Sequence, residues 1–272
     1  MTSTKPPKPP NRMLFWLEGR ALLELATLPY WIPILRRLPR GDGHPVLVLP
    51  GFLATSRSTG PLRGFLKNRG YGAERWRFGR NLGYYDELGR AMNQRVGDLH
   101  QRTGKKVSLI GWSLGGVYAR EIARDQPDCV RQVVTLGSPF AGSGTGSHAN
   151  ELYAAIAGQH PERLPEEQRR RMQSPPPVPT MAIFSKSDGI VSWRTAVERL
   201  EHDRVENVGV RGAHCGLGVN PGAWIAIADR LAQPEGTWRP FEPKGFQRLL
   251  YSAVQHAEKP DALAPLGDAV AR

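Results

Sequence analysis

Ser113 lies in a glycine-flanked pattern that predicts nucleophilic chemistry. Residues 107–116 read VSLIGWSLGG, so an apolar β run meets Gly-Trp-Ser-Leu-Gly and a helical stretch follows at once. Gly111 and Gly115 keep side chains out of the cramped turn where the strand and helix backbones approach each other. Such a turn projects the serine hydroxyl above the sheet edge, at the positive end of a helix. The strand–turn–helix context favours a catalytic serine over an idle one.

This pattern resembles the α/β-hydrolase superfamily, and the resemblance covers roughly residues 45–231. Within the superfamily the chain is most similar to the bacterial lipase and carboxylesterase branch. The resemblance implies an α/β fold with a mostly parallel central sheet, helices on both faces and a short lid insertion. It also implies that a serine, an acid and a histidine follow one another along the chain.

Asp188 is the predicted acid, because a carboxylate must orient the base that takes the serine proton. It follows the apolar run 181–184, which predicts a late strand, and it stands in an Asp-Gly turn. Residues 185–191, SKSDGIV, also resemble the acid loop of lipase-like hydrolases. The alternatives are a solvated turn aspartate and Asp203 as the acid.

His214 is the predicted base. It follows the strand predicted at 205–210 and lies 26 residues beyond the acid, which leaves room for one helix and one strand. Gly212 and Gly216 predict a flexible, uncrowded loop around it. The alternative is a surface loop histidine. The neighbouring Cys215 has no base of its own and is interpreted as a packing residue.

Two backbone N–H groups must point at the negative charge that develops on a substrate carbonyl. One donor is expected from Leu114, the residue after the nucleophile. The other is expected from the loop after the first strand, where Leu-Pro-Gly-Phe at 49–52 resembles the family's oxyanion turn. That match indicates the N–H of Phe52, with Leu53 as the alternative.

A long connection between predicted strands, residues 137–180, occupies the place where this superfamily puts its lid. It has glycines at one end, prolines at 175–177 and a helical piece predicted at 150–158. This composition suits a hinged cover, and an ungated surface excursion is the alternative. Apolar side chains here and in the nearby turns are predicted to line an acyl pocket: Phe52, Trp112, Phe140, Leu152, Tyr153 and Ile156.

These residues need a sheet whose strands end side by side. Short apolar runs predict strands at Pro45–Leu49, 75–78, 107–110, 130–136, 181–184 and 205–210. Helical stretches separate them. The clearest is 84–102, where Leu88, Met92, Val96 and Leu99 share one face. Strands alternating with helices predict a parallel sheet covered on both faces, with ligands beyond the carboxyl ends of the strands.

Composition divides the chain into four segments. They are a disordered basic arm (1–12), an N-terminal amphipathic helical segment (13–40), the α/β-hydrolase domain with its lid (41–235) and a C-terminal extension (236–272). The domain is long enough to bury a single core.

The apolar segment 13–40 predicts an amphipathic helix followed by a proline-broken turn at Pro29 and Pro33. Charges at 18, 20 and 24 interrupt it, so it predicts neither a transmembrane span nor a signal peptide. One interpretation packs it on the domain or on a second subunit. The other makes it a peripheral contact with an anionic membrane surface, helped by the arginines at 36, 37 and 40.

Composition also excludes several classes. The 272 residues are 40% hydrophobic and 23% charged, which excludes collagen-like, coiled-coil and wholly disordered chains. Two cysteines form no disulfide scaffold and no metal-ligand cluster. The lack of a disulfide scaffold and of a signal peptide favours the cytoplasm, at the inner membrane face if the segment binds lipid. The net charge of +12 suits nucleic acid, but no nucleic-acid-binding signature accompanies it. The oligomeric state stays open.

The sequence therefore predicts a serine hydrolase that cleaves carboxylic esters with an apolar acyl group. Ser113 attacks the carbonyl, His214 transfers the proton, Asp188 holds the imidazole and water releases the acyl group, so neither a metal nor an organic cofactor is needed. An acyltransferase using the same triad is the alternative within the enzyme class. From another class, the alternative is a non-catalytic interaction protein on a hydrolase scaffold.

Overall fold

The computed structural model describes residues 9–142, 147–148, 150–158, 165–200 and 202–252. Most of the predicted basic arm and the second half of the C-terminal extension lie outside these residues.

Six parallel strands form one sheet in the order β2-β1-β3-β4-β5-β6. They are β1 Pro45–Leu49, β2 Gly72–Arg75, β3 Val107–Trp112, β4 Val130–Leu136, β5 Thr180–Phe184 and β6 Val205–Gly209. The central strands are buried on both faces, which is why apolar residues make up most of each strand. In the register Ile110 of β3 stands between Val48 and Val134. The carboxyl ends of all six strands therefore meet at one edge, as the predicted fold class requires.

Helices cover both faces of the sheet. They are α1 Arg12–Trp16, α2 Ala21–Leu35, α3 Gly60–Asn68, α4 Asp86–Thr103, α5 Leu114–Asp125, α6 Asn150–Ala157, α7 Glu166–Gln173 and α8 Pro221–Ala232, with short 3₁₀ turns at Leu17–Arg20, Trp193–Thr195, Leu217–Val219 and Gly245–Leu250. Because strand side chains alternate, Val46 and Val48 pack with α2, α3 and α8. Leu47 and Leu49 pack with α4 and α5 on the other face.

Two elements differ from the prediction. β2 spans Gly72–Arg75 instead of 75–78, because Trp76 lies beyond the end of the strand and is buried in the core against α5. Helix α3 was not predicted. It begins at Gly-Pro and packs Leu62, Phe65 and Leu66 against the core, but with 9 residues it is too short to repeat that spacing.

The N-terminal segment is also more helical than predicted. Helix α2 continues through Pro29 and Pro33 without the expected break. Both prolines are exposed, so water can reach the backbone carbonyls that lose their helical partners there. Trp31 packs against the core on the inner side, while Leu22 is 73% exposed on the outer side. The helix is therefore apolar on both sides. No helix among the described residues has the length and apolar content that a membrane span requires.

The insertion between β4 and β5 contains α6 and α7. Helix α7 is fixed to α5, because Arg171 forms ion pairs with Glu121 (2.8 Å) and Asp125 (2.7 Å). Arg120 of α5 also donates to the carbonyl of Ser174 at 2.8 Å. The second half of the insertion is therefore anchored to the domain.

The described part of the C-terminal extension packs on the domain as well. Phe241 and Tyr251 are buried in the core on the α8 face. The Tyr251 hydroxyl donates to the carbonyl of Gly222, at the start of α8, at 2.9 Å.

Candidate active site

Ser113 occupies the sharp turn between β3 and α5. Its backbone angles, φ 52° and ψ −122°, lie in a region that costs a non-glycine residue on the order of 1–3 kcal/mol. Glycines make the turn sterically feasible. A methyl carbon on Gly111 would overlap the backbone of residues 115–116, and one on Gly115 would lie 2.5 Å from the carbonyl oxygen of Leu49. The turn is further held by the Ser113 N–H, which donates to the carbonyl of Leu136 at 2.8 Å.

Asp188 and His214 form a buried hydrogen-bonded pair. Nδ1 of His214 lies 2.6 Å from Oδ2 of Asp188, and the two residues are 4% and 3% exposed. The other oxygen of Asp188, Oδ1, accepts from the N–H of Ile190 at 2.9 Å and of Val191 at 2.7 Å. The pair thus joins the loop after β5 to the loop after β6. Its geometry leaves Nε2 as the basic atom of the imidazole.

The pair lies at the same sheet edge as the serine. The indole N–H of Trp112, the residue before Ser113, donates to the carbonyl of His214 at 3.1 Å. A methyl carbon on Gly137, at the end of β4, would lie 3.1 Å from both Oδ2 of Asp188 and Nδ1 of His214. The ends of β3, β5 and β6 therefore bring the three predicted residue types to one edge. The alternative acid, Asp203, is exposed in the turn that precedes β6, at the opposite edge.

Electrostatics favour a basic imidazole. Burial disfavours the charged form of His214, but the charge and hydrogen bond of Asp188, with the charge of Glu18, outweigh it and raise the pKa of His214. The neighbouring thiol behaves differently. Desolvation and the nearby Glu18 raise the pKa of Cys215 to about 12, so it stays protonated at neutral pH and is a poor nucleophile.

The N-terminal segment reaches both loops, which the sequence did not indicate. The Glu18 carboxylate accepts from the N–H groups of Gly189, His214 and Cys215, at 2.7–2.9 Å. The Glu24 carboxylate accepts from the N–H of Ala213 at 2.8 Å. In the sequence these two acids only interrupt an apolar stretch. Nothing in local spacing links them to loops about 170–200 residues away.

The histidine loop is more crowded than predicted. A methyl carbon on Gly216 would overlap Oε2 of Glu24, and one on Gly212 would lie 2.7 Å from Nδ2 of Asn220 and 3.2 Å from Oε2 of Glu24. The prediction of an uncrowded loop is therefore wrong. These glycines make room for the N-terminal segment.

The backbone of the β1–α3 loop distinguishes Phe52 from Leu53 as the candidate for the second oxyanion N–H donor. Leu53 has φ 61°, and its N–H donates to the carbonyl of Asn81 at 2.7 Å, so it is already engaged inside the protein. Gly51 lies against the turn at Ser113, since a methyl carbon on Gly51 would be 3.1 Å from Cβ of Ser113. Phe52 is the next residue. Leu114, which was predicted as the first N–H donor, is the first residue of α5.

The predicted pocket residues occupy different environments. The rings of Phe52 and Tyr153 meet edge to face at 5.3 Å, Trp112 is half-buried and Ile156 is 42% exposed. Phe140 is 1% exposed, and the Arg120 guanidinium lies 3.7 Å from its ring centroid. It packs in the interior instead of lining a surface pocket. The side chain of Leu152 lies outside the described residues.

The fold of this chain is similar to that of several solved lipase structures. No family model matches the chain. Aspergillus fumigatus lipase B superposes with a TM-score of 0.54 at 19% identity, over 73% of this chain and 55% of the lipase. The Bacillus licheniformis lipase BlEst2 gives 0.54 at 17% identity, over 72% and 95% of the two chains. The chain has the α/β-hydrolase fold.

Curated relatives match this chain over short stretches. The pimeloyl-[acyl-carrier protein] methyl ester esterase of Aliivibrio salmonicida is 33% identical over 87 residues, which is 31% of this chain and 33% of the relative. The same-named esterase of Yersinia pestis is 45% identical over 38 residues, 14% and 15% of the two chains. The match thus spans no more than a third of the length of these curated relatives.

The chain also holds a second aspartate–histidine–serine arrangement at the opposite sheet edge. Nδ1 of His44 lies 2.5 Å from Oδ1 of Asp42, and Nε2 lies 2.8 Å from Oγ of Ser108. His44 and Ser108 are fully buried, and burial lowers the pKa of His44. A substrate has no access to this serine, which also accepts from the amide of Gln132 at 3.2 Å. We therefore interpret this arrangement as structural. Among the described residues no cluster of three or more His, Cys, Asp and Glu has metal-binding geometry.

Proposed function

We propose that this chain is a serine hydrolase that cleaves carboxylic esters with an apolar acyl group through an acyl-enzyme. The observation that carries the proposal is Ser113 on a strained turn, beside the buried pair of Asp188 and His214. Oγ of Ser113 attacks the ester carbonyl while Nε2 of His214 accepts its proton. His214 then gives that proton to the leaving alcohol, and water, activated by the same imidazole, releases the acid and restores the serine.

Backbone N–H groups stabilise the oxyanion in this mechanism. We assign them to Leu114 and Phe52, because the N–H of Leu53 already has a partner in Asn81. The edge-to-face contact of Phe52 and Tyr153 supports an apolar acyl side of the pocket. Since α7 is fixed to α5, the part of the insertion that we propose as a cover is α6.

The substrate class rests on the site and on the relatives together. The matched curated proteins are named methyl ester esterases, and the matched structures include lipases. Both are carboxylic ester hydrolases. We therefore propose a small-molecule or lipid ester as the substrate.

The test replaces the nucleophile and uses the buried serine as a matched control. Ser113→Ala should lose hydrolysis of short- and medium-chain p-nitrophenyl esters, with kcat falling on the order of 10⁶-fold. It should also lose labelling by a fluorophosphonate. Ser108→Ala should keep both, because Ser108 is inaccessible.

Two results would redirect the proposal. Labelling of Ser113 without hydrolysis would move the function to acyl transfer, which added alcohol acceptors would then reveal as ester products. Absence of both labelling and hydrolysis in folded wild-type protein would contradict the enzyme proposal and favour the interaction protein.

We also propose that α1 and α2 contact an anionic membrane surface. Trp16, Leu22 and Leu23 are 78%, 73% and 69% exposed, an apolar content that favours burial elsewhere. Glu18 and Glu24 are the only acids between residues 9 and 41, and both bind backbone N–H groups of the domain. The outward charges of the segment are therefore arginines, the complement of an anionic lipid surface.

A further inference from the structure

A single carboxylate joins the two loops that carry the proposed acid and base. Oε1 of Glu18 accepts from the N–H of Gly189 at 2.7 Å and from the N–H of His214 at 2.9 Å. Oε2 accepts from the N–H of Cys215 at 2.9 Å. Gly189 directly follows Asp188, so the carboxylate bonds to the backbone next to the acid and to the backbone of the base itself.

The rest of the segment fits the same two loops. Arg20 donates to the carbonyl of Ser187 at 2.5 Å, and Glu24 accepts from the N–H of Ala213 at 2.8 Å. Gly189 has no room for a side chain, because a methyl carbon there would overlap the carbonyl of Leu14. Contacts from four positions of the N-terminal segment thus converge on residues 187–189 and 213–215.

We propose that Glu18 is a positioning residue, which holds the Asp188 loop and the His214 loop in register for proton transfer. This inference rests on the proposed hydrolase function. A carboxylate suits the task because it accepts several N–H groups and offers no donor to oppose them. A glutamine would turn its amide nitrogen toward at least one of the three N–H groups and lose that contact.

The charge of Glu18 adds a second effect. It lies close to the imidazole that becomes positive during the reaction, and with Asp188 it raises the pKa of His214 against the opposing effect of burial. His214 must be neutral to act as a base, so activity is lost as the pH falls through this pKa. Removing the Glu18 charge lowers the pKa of His214, and the acidic limb of the pH profile should then move to lower pH.

The test compares Glu18→Gln with Glu87→Gln, which removes an exposed carboxylate on α4. In Glu18→Gln we expect kcat to fall on the order of 10²-fold, the scale of a misplacement of about 1 Å. KM should change little, and the acidic limb of kcat/KM should move to lower pH. Glu18→Asp keeps the charge, so the acidic limb of its pH profile should stay nearer that of the wild type. Because its side chain is one methylene shorter, its kcat should remain reduced. Glu87→Gln should match the wild type.

Several outcomes would overturn the inference. Unchanged kcat and an unchanged limb in Glu18→Gln would contradict it. A lower kcat in Glu18→Gln with no change in the acidic limb of its pH profile would show that Glu18 is only a structural contact. If Ser113→Ala stays active, the proposed function itself fails, whatever Glu18→Gln does.

A measurement on the wild type covers the case in which Glu18→Gln does not fold. The amides of Gly189, His214 and Cys215 should exchange hydrogen slowly, because all three donate to Glu18. Exchange as fast as in the exposed turn at Gly79 would contradict the inference.

Discussion

The two carboxylate oxygens of Asp188 have different partners. Oδ1 accepts from two backbone N–H groups of its own loop, while Oδ2 faces Nδ1 of His214. The loop therefore fixes the plane of the carboxylate independently of the imidazole. An acid held in this way sets the histidine tautomer before any substrate binds.

Replacing this acid by its amide should separate orientation from charge. Asp188→Asn keeps the shape but places an amide nitrogen either against Nδ1 of His214 or against the loop N–H groups. If the proposed roles hold, we expect kcat to fall about 10⁴-fold, the loss that the same change causes at the triad aspartate of a serine protease. Asp203→Asn, an exposed position, is the matched control and should keep wild-type kcat on p-nitrophenyl esters. A loss in Asp203→Asn instead would transfer the role of acid to Asp203.

The candidate site was predictable as far as local patterns reach. Ser113, Asp188 and His214 each follow a strand that was predicted from the sequence, and parallel strands bring such ends to one edge. Their catalytic roles remain predictions. Glu18 was not predictable, because its three partners belong to loops in the second half of the chain and no local pattern encodes that contact. The prediction that Phe140 lines the pocket was wrong for a related reason. It relied on the position of Phe140 near the end of a strand, which does not reveal that Arg120 covers its ring.

At the scale of elements, a buried ion pair connects α5 to the connection between β5 and β6. Arg120 of α5 and Glu198 have side chains that are each 1% exposed, and they form direct hydrogen bonds. Arg120 also donates to Ser174, at the end of α7. Helix α5, which begins directly after Ser113, is thereby attached to the end of α7 and to the connection between β5 and β6.

Removing one partner of this pair should destabilise the whole domain. Glu198→Ala leaves the Arg120 charge buried without its carboxylate, and we expect a loss of about 3–5 kcal/mol in the free energy of unfolding. Glu87→Ala breaks an exposed pair with Arg90 and should cost no more than about 1 kcal/mol. Urea denaturation followed by circular dichroism measures both. Equal losses in the two variants would show that the buried pair contributes no more than a surface pair.

The fold was predictable where burial is two-sided. Five of the six strands were predicted with ends within about two residues. Four of them, β1, β3, β4 and β5, are buried inner strands in which apolar residues predominate, and the fifth, the edge strand β6, is only partly buried. Strand β2 lies at the sheet edge, and within it only Ala73 is buried, so its signal was weak. Helix α2 was misjudged because the cost of proline in a helix depends on whether its face is exposed, which sequence does not state.

At the scale of the whole molecule, the N-terminal segment turns its acids toward the domain and its arginines toward solvent. The net charge is +12, yet the two acids of the N-terminal segment face inward and bind backbone N–H groups. The arginines at positions 12, 36, 37 and 40 are exposed around apolar side chains. This arrangement suits a surface on which apolar insertion and attraction to anionic headgroups act together.

Vesicle binding tests that surface. The wild type should bind phosphatidylglycerol vesicles more tightly than phosphatidylcholine vesicles, and binding should weaken as salt screens the charges. The double variant Leu22→Ser and Leu23→Ser should bind at least about tenfold more weakly, since it removes two exposed apolar side chains. Leu200→Ser, at an exposed leucine outside the segment, is the control. Equal affinity for both vesicle types would contradict the proposal, and a dimer lost in the double variant would identify a second copy as the occupant.

The contact between Glu18 and the backbone of His214 joins residues 196 positions apart, which has a consequence for biosynthesis. Translation proceeds at about 5–20 residues per second, so the interval between synthesis of the two partners is on the order of 10–40 s. Throughout that time the nascent chain lacks the His214 loop that receives Glu18, even after the turn at Ser113 has been made. Docking of the first segment must follow synthesis of the last strand. Glu18 can therefore join the loops of Asp188 and His214 only after β6 and its loop have been made.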